Sequence, residues 1–331
     1  MATLETQHLD EIIVSSRRKM LALGGAALAG LAFAGVKVAQ AQSSPAYSDA
    51  DILNFALNLE YLEANFYTLA TAGKTIDQMG IGIGPGVNAT GGGTVTTKSG
   101  GPASCLVPWT IPAVQAYATE TATEERNHVT FLRSALGSSA TVPQPNLDLY
   151  NSFNTLASAA GIATTFDPFA GDAEFLVGAY IFEDVGVTAY SGAAPLLTVS
   201  GNLAAAAGIL AVEAYHAGLV RTTIFGVDPT GSLGLQGYTQ KVSATRMALD
   251  GSSTTDDIGV GFQNVALEMS SGSVQASTVV DAQTGSPNYS KTYSRSTTQV
   301  LKIVTGTAAT EPAGTTYKGV FFPNGLNGLF S

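Results

Sequence analysis

The sequence predicts an all-α core built as a four-helix bundle, and three observations lead to that prediction. Four stretches of roughly 25 residues carry apolar side chains at spacings of three and four, as amphipathic helices do. Residues that start or stop helices bound these stretches, such as Ser48 before the first and Gly226 after the last. The stretches also form two pairs with matching polar residues, which is typical of a bundle made from two related helix pairs.

The composition indicates an acidic, globular protein. The chain has 331 residues, of which 45% are hydrophobic and 12% charged, and its formal net charge is −10. An apolar fraction of this size can build a sizeable core and excludes a mainly disordered chain. The acidic balance leaves no basic face for nucleic acid. The one cysteine, Cys105, excludes an internal disulfide and a thiolate cluster, and we expect it to be a small buried residue.

Residues 1–41 have the features of an export signal. Arg17 and Arg18 precede an apolar Ala/Gly/Leu run over residues 20–36, and the sequence A-Q-A ends at Ala41. This pattern predicts a removed signal of the twin-arginine (Tat) type, with an uncleaved anchor as the alternative because the run is barely long enough to span a membrane. We therefore expect a periplasmic or extracellular protein with no stable membrane span after cleavage.

The first long helix and the loop after it are predicted from local signals. Ser48 with Asp51 three residues later is close to a capping box, and Gly73 ends the helix. Residues 80–112 are rich in Gly, Thr and Pro, which excludes a helix and predicts a long loop with at most a short hairpin. The further predicted helices cover residues 112–136 with a stop at Gly137, 147–161, 172–194, 203–225 and 239–249.

The C-terminal region differs in composition from the rest. Residues 250–331 are rich in Ser, Thr, Gly and Val, and they predict an irregular extension with minor strand and a short helix at 296–304. The apolar end at 321–330 is expected to pack against the bundle. The predicted organisation is therefore a signal at 1–41, a bundle at 48–249 and an extension at 250–331.

Two Glu-x-x-His pairs stand out in the second and fourth long helices. They are Glu125 with His128 and Glu213 with His216. The chain has three histidines, and His8 precedes the predicted cleavage site, so the mature chain uses both of its histidines in this motif. Residues three apart share a helix face, so each pair can direct a carboxylate and an imidazole at one point.

The first and third long helices each supply a Glu followed by a Tyr seven residues later. These are Glu60 with Tyr67 and Glu183 with Tyr190, a match that indicates duplication of a helix pair. Glu60 is the preferred ligand because it shares this step, with Glu63 as the alternative and otherwise a residue behind the ligands or at the surface. Tyr67 and Tyr190 are candidate catalytic residues, one turn beyond the ligands, where a phenol could hydrogen-bond a ligand or relay an electron; the alternative for both is bundle core.

These residues predict a dinuclear metal centre. Four buried carboxylates would repel one another unless cations compensated them, and two divalent ions would do so. Oxygen-rich ligation with one imidazole for each ion suits iron or manganese. The predicted ligands are Glu60, Glu125, His128, Glu183, Glu213 and His216.

Four charged residues near the motifs receive other roles. Glu124 points about 100° away from Glu125 on the helix and is expected to face solvent. Arg133 and Arg221 lie on a different face from the histidines and are expected in structural ion pairs. Asp184 is one candidate for the partner of the second ring nitrogen of a ligating histidine.

The order Glu, Glu-x-x-His, Glu, Glu-x-x-His resembles the ferritin-like superfamily. More narrowly, I-L-N-F-A-L-N-L-E-Y-L-E-A-N-F-Y and S-T-T-Q-V-L-K-I-V…G-V-F-F-P-N-G-L-N-G resemble exported ferritin-like domain proteins, some of them called desiccation-related. The resemblance implies a ferritin-like bundle that holds two iron or manganese ions at the six predicted ligands. It also implies ferroxidase, peroxidase or manganese-catalase chemistry on dioxygen or peroxide under oxidative or desiccation stress.

Two departures from compact ferritins argue against cage assembly and bulk iron storage. They are the long loop between the first two long helices and the C-terminal extension. The alternatives to a redox enzyme are a metal-sequestering protein without turnover and a structural or surface protein. A homo-oligomer is compatible with each of these readings.

Overall fold

The computed structural model describes residues 47–252, 257–261, 263–266, 273–276, 291–308 and 317–330, and the predicted export signal lies outside them. These residues contain seven α-helices and four short strands. The helices are α1 Asp49–Ala72, α2 Pro112–Ala140, α3 Asn151–Ala159, α4 Asp172–Ala193, α5 Ser200–Val227, α6 Leu235–Asp250 and α7 Thr297–Thr305. The strands are β1 Val95–Thr96, β2 Leu147–Asp148, β3 Gln263–Ala266 and β4 Ser273–Ala276.

The four long helices α1, α2, α4 and α5 form the predicted bundle. Helix α1 packs along α2 and α4 packs along α5, while α1 also contacts α4 and α2 contacts α5. Every residue of α1 from Ile52 to Ala70 is buried, as is every residue of α4 from Phe175 to Tyr190. Helices α2 and α5 bury one face each. Side chains at the centre of α1 and α4 are therefore shielded from water on all sides, which raises the cost of any unpaired charge there.

The predicted ends of the long helices agree with the structure to within a few residues. The Ser48 hydroxyl accepts the backbone N–H of Asp51, and the Asp51 carboxylate accepts the backbone N–H of Ser48, so the capping box is confirmed. Gly73 ends α1 with a left-handed φ of 60°. Gly137 has φ 70° and ψ 177°, which interrupts α2 at the predicted stop before a last turn that reaches Ala140.

Residues 80–112 form the predicted long loop, but not the short hairpin that the sequence left open. Strand β1 in this segment pairs in parallel with β2, which follows α2, so its partner is about 50 residues away. Cys105 in the same segment is buried, as expected. The short helix predicted at 147–161 begins at Asn151, because Leu147 and Asp148 form β2.

The described part of the C-terminal extension contacts the bundle through aromatic side chains. The Phe321 ring lies 5.3 Å from that of Phe153 and 4.9 Å from that of Phe182. Phe330 covers the start of α1, with its ring 5.1 Å from that of Phe55. Strands β3 and β4 pair antiparallel, which accounts for the minor strand predicted here.

A buried network of arginines and aspartates also joins the extension to the bundle. Asp184 of α4 accepts hydrogen bonds from Arg221 at 2.8 Å and Arg246 at 3.0 Å. Asp257 accepts from Arg246 and Arg295, each at 2.6 Å. The ion pair expected for Arg221 is confirmed. Asp184 is engaged by two guanidinium groups, so its assignment as a histidine partner is wrong.

Among the described residues, Arg133 has no carboxylate partner, so the expected ion pair is not observed there. Its guanidinium donates to the backbone carbonyls of Val87 and Gly84, at 2.9 and 2.8 Å, and to the Tyr61 hydroxyl. The Gly-rich loop lies against α2 here, so its carbonyls take the place of a carboxylate. Arg133 therefore fastens the long loop to the bundle.

Helix α5 is the one helix among the described residues that is long and apolar enough to cross a bilayer by length and composition. Its Glu, His and Arg residues, Glu213, His216 and Arg221, are all buried within the bundle.

Candidate metal centre

The structure brings all six predicted ligands together in the middle of the bundle, and it adds a seventh residue. Glu125, Glu183 and His216 have no measurable exposure, and the most exposed member, His128, is 8% exposed. The seven residues are Glu60 and Glu63 on α1, Glu125 and His128 on α2, Glu183 on α4, and Glu213 and His216 on α5.

Two positions for an ion can be distinguished by their histidines. At the His128 position, ligand atoms of Glu60, Glu125, Glu213 and His128 all lie within 4.8 Å of one another. At the His216 position, the same holds for Glu125, Glu183 and His216. Glu125 belongs to both sets, so it lies between the two positions.

Each imidazole presents Nδ1 to the cluster. His128 Nδ1 lies 3.2 Å from Glu60 Oε2, 3.5 Å from Glu125 Oε2 and 3.8 Å from Glu213 Oε1. His216 Nδ1 lies 3.1 Å from Glu125 Oε1 and 3.4 Å from Glu183 Oε2. The two oxygens of Glu125 thus face different histidines, as a bridging carboxylate requires.

The cluster contains eight buried atoms that could bind a metal ion and that have no hydrogen-bond partner. They are Oε2 of Glu60, Glu63, Glu183 and Glu213, both oxygens of Glu125, and Nδ1 of both histidines. Buried polar atoms are nearly always hydrogen-bonded, and each unsatisfied one costs about 1–3 kcal/mol. Eight such atoms facing one centre fit bound cations, and carboxylates with one imidazole per position fit iron or manganese.

The two candidate catalytic tyrosines lie against predicted ligands in a crossed arrangement. The Tyr67 hydroxyl on α1 donates to Glu183 on α4, and the Tyr190 hydroxyl on α4 donates to Glu60 on α1. Burial, followed by the neighbouring carboxylates, raises the pKa of both phenols well above the ordinary value of 10.0, so both keep their protons. Each tyrosine therefore holds one carboxylate oxygen and leaves the other directed at the cluster.

Glu63 is part of the cluster, contrary to the preference for Glu60 alone. It is 6% exposed, and one of its oxygens lies within 4.8 Å of oxygens of Glu183 and Glu213. The space depends on Gly186 of α4, where an added Cβ would lie 3.0 Å from Glu213 Cδ, closer still to its Oε2, and 3.7 Å from Glu63 Oε1. The sequence placed both acids on adjacent turns of α1 but did not show that both face the same centre, nor that Gly186 leaves room beside them for the Glu213 carboxylate.

Glu124 does not simply face solvent as expected. Its side chain is 34% exposed, and its Oε2 lies 2.7 Å from His216 Nε2. It is therefore the carboxylate behind a candidate ligating histidine, the role first considered for Asp184. The contact joins α2 to α5, and no spacing along one helix could have revealed it.

Without cations, the pKa values in the cluster are strongly shifted. Burial, helped by neighbouring carboxylates, raises the pKa of Glu63 and Glu213 well above 4.5, and burial raises that of Glu60 to about 7. Burial alone would lower the pKa of His128, but Glu60 and Glu125 outweigh it and raise the value to about 12. The metal-free cluster therefore holds protons where cations would otherwise lie, and ligation must release them.

Comparison with known proteins agrees with this geometry. A family model described as a ferritin-like domain matches residues 48–226. The desiccation-related protein PCC13-62 of Craterostigma plantagineum is 31% identical over 224 residues, covering 64% of this chain and 66% of that protein, just under two thirds of its length. The ferritin-like catalase Nec2 of Nesocodon mauritianus is 26% identical over 291 residues, covering 85% of this chain and 84% of that protein. No solved structure matches the chain.

Proposed function

Because the chain belongs to the ferritin-like domain family, we propose that it is an exported dimetal-carboxylate protein with redox activity on dioxygen or peroxide. The observation that carries the proposal is the convergence of eight unpartnered buried donor atoms from four helices. The similarity to a protein described as a ferritin-like catalase supports peroxide as the first substrate to test. The similarity to a desiccation-related protein supports a role in stress.

The residues that would hold the ions divide between the two positions. Glu60 and His128 serve one, Glu183 and His216 serve the other, and Glu125 lies between them. Bound iron or manganese would supply the electrons and Lewis acidity for chemistry on dioxygen or peroxide. The protein contributes fixed carboxylates, two phenols that orient them, and apolar helices that exclude water.

Access to the site suits a small molecule. A small pocket between α2, α4 and α5 is lined in part by Tyr67. The hydroxyl of Tyr67 donates a hydrogen bond to Glu183 of the cluster. A pocket this small suits hydrogen peroxide or dioxygen better than a larger organic substrate. The pocket is lined by Tyr67, Val114, Tyr117, Ala118, Thr121, Phe175, Leu176, Leu219, Val220 and Thr223.

The proposed activity is tested by metal content and peroxide turnover of protein purified from its native export route. We expect two iron or manganese ions per chain, and one dioxygen released per two peroxides consumed if the reaction is of the catalase type. Glu125→Gln should lose both metal and turnover, because this carboxylate serves both positions. The control Glu120→Gln alters an exposed acid on the same helix and should retain both.

The same experiment separates the alternative functions. Two ions per chain without consumption of peroxide or dioxygen would support metal sequestration. Absence of metal, with Glu125→Gln indistinguishable from the wild type, would support a structural role.

Export is part of the proposal and is supported by Arg17, Arg18 and the apolar run at 20–36. Mass spectrometry of the protein from the envelope fraction should find a mature N-terminus at Gln42. A full-length N-terminus in the cytoplasmic fraction would contradict export.

A further inference from the structure

We propose that the two metal positions are inequivalent, and that the His216 position binds its ion first and more tightly. This inference rests on the proposed metal centre and specifies how it fills. It follows from two places where the cluster departs from the symmetry of its helix pairs.

The shared part of the cluster is symmetric. Glu60 corresponds to Glu183, Glu125 to Glu213, and each histidine follows its Glu by three residues. The crossed tyrosine bonds obey the same relation. Were this relation complete, the two positions would offer the same ligands and bind ions with the same affinity.

The first departure is an additional carboxylate. The residue three after Glu60 is Glu63, whereas the residue three after Glu183 is Gly186. Glu63 lies in one ligand group with Glu183 and Glu213, and its Oε2 is buried without a partner. Glu183 belongs to the His216 position, and Glu63 shares no ligand group with Glu60 or His128, so we assign its charge to the His216 position.

Two other carboxylates, Glu125 and Glu213, face both metal positions, so they do not cancel the extra charge of Glu63. Glu125 directs one oxygen at each histidine. Glu213 directs Oε1 at His128, and its Oε2 lies on the side of Glu63 and Gly186. The His128 position therefore has one carboxylate that serves it alone, Glu60. The His216 position has two, Glu63 and Glu183.

The second departure lies behind the histidines. Glu124 pairs with His216 Nε2 at 2.7 Å, and the residue at the corresponding place before Glu213 is Val212. Within the described ranges, no carboxylate pairs with His128 Nε2. A carboxylate behind a ligating imidazole fixes its orientation and raises its basicity, which strengthens the metal–nitrogen bond.

Both departures favour the same position. A greater negative charge attracts a divalent cation more strongly, and a better oriented imidazole loses less freedom on ligation. The His216 position therefore fills first, and the His128 position completes the pair.

Titration of the metal-free mature protein with Mn²⁺, followed by the paramagnetic resonance signal of free Mn²⁺, tests this order. We expect two binding steps whose dissociation constants differ by about tenfold or more. Glu63→Gln and Glu124→Gln should each weaken the first step by about 10- to 100-fold, the usual cost of losing a supporting carboxylate. Glu120→Gln, an exposed acid four residues before Glu124, is the matched control and should change neither step.

The two histidine variants assign the steps. His128→Ala should keep the tight step, and His216→Ala should remove it, with circular dichroism used to verify the fold of each variant. Two equal sites in the wild type, or loss of the tight step in His128→Ala but not in His216→Ala, would overturn the inference and leave the dimetal proposal standing. Failure of the wild type to bind any Mn²⁺ would refute the dimetal proposal itself and the filling order with it.

Discussion

Replacing Gly186 by alanine should remove metal from the centre while the bundle stays folded. Gly186 lies within α4, where its one function visible in the structure is to leave space for the Glu213 carboxylate. A methyl group there changes no charge and deletes no candidate ligand. The variant therefore separates the geometry of the centre from its composition.

The size of the effect follows from the distances. An added Cβ would lie 3.0 Å from Glu213 Cδ and closer still to its Oε2, whereas comfortable contact begins at about 3.5 Å, so the carboxylate must move by on the order of 1 Å. Metal–ligand distances vary by only about 0.2 Å, so a Glu213 carboxylate displaced this far would no longer bind an ion at the centre. We expect metal affinity to fall by about 100-fold or more, which corresponds to roughly 2.7 kcal/mol.

The metal-free protein should be affected far less. Alanine is favoured over glycine in a helix interior by about 1 kcal/mol, and an off-rotamer shift of the Glu213 side chain costs about the same. Metal analysis and thermal unfolding with and without Mn²⁺ measure both effects. Gly208→Ala in α5 is the control, because an added Cβ there meets nothing within 4 Å. Normal metal content in Gly186→Ala would refute the described geometry.

Four further predictions test other parts of the account. Excess Mn²⁺ at about 100 times the dissociation constant stabilises the folded state by roughly 2.7 kcal/mol per ion. Two ions should therefore raise the melting temperature by about 10 °C in calorimetry. An unchanged melting temperature would argue against binding. Tyr67→Phe frees the bonded oxygen of Glu183 and should weaken Mn²⁺ binding about tenfold in the same titration, while unchanged affinity would remove its orienting role. Asp257→Asn leaves two buried guanidinium groups poorly compensated and should lower the free energy of unfolding in urea by about 3–5 kcal/mol; a loss below 1 kcal/mol would contradict this. Backbone and side-chain hydrogen bonds from Thr198 and its neighbours hold the pKa of Asp49 below its ordinary value of 3.8, so its contribution is present above that pH and is lost as pH falls further. Because solvent screens this carboxylate, Asp49→Asn should cost about 0.5–1 kcal/mol at pH 7, with the difference shrinking below pH 3.8 in urea titrations; a pH-independent difference would contradict this sign.

The parts of the fold that could be predicted depend on local sequence. Capping by Ser48, termination at Gly73 and Gly137, and the apolar spacing of the long helices all act within a few residues of the chain. The family comparison and the structure confirm the helical bundle that these signals predicted. The pairing of β1 with β2 was missed because its two strands are separated by the whole of α2.

The same distinction holds for the candidate site. The two Glu-x-x-His pairs are local patterns, and internal duplication identified Glu60 and Glu183 by analogy. Glu63 was ranked second because the internal duplication has no matching acid in the second helix pair, and its place in the cluster depends on Glu183 and Glu213, which lie on other helices. Glu124 was missed because one helix cannot reveal which neighbour it faces.

The charges in the bundle explain why the site needs its cations. Five buried glutamates lie within one cluster, and the histidines are its positive groups when no metal is bound. Carboxylates in that setting are tolerated when they are protonated or paired. Metal ions at the two positions would provide such pairing and release the protons.

Anomalous diffraction from crystals of residues 42–331 grown with Mn²⁺ tests the central claim most directly. The account predicts two anomalous peaks enclosed by Glu60, Glu63, Glu125, His128, Glu183, Glu213 and His216. Crystals with no peak among these seven side chains, at Mn²⁺ concentrations that load other dimetal proteins, would contradict it.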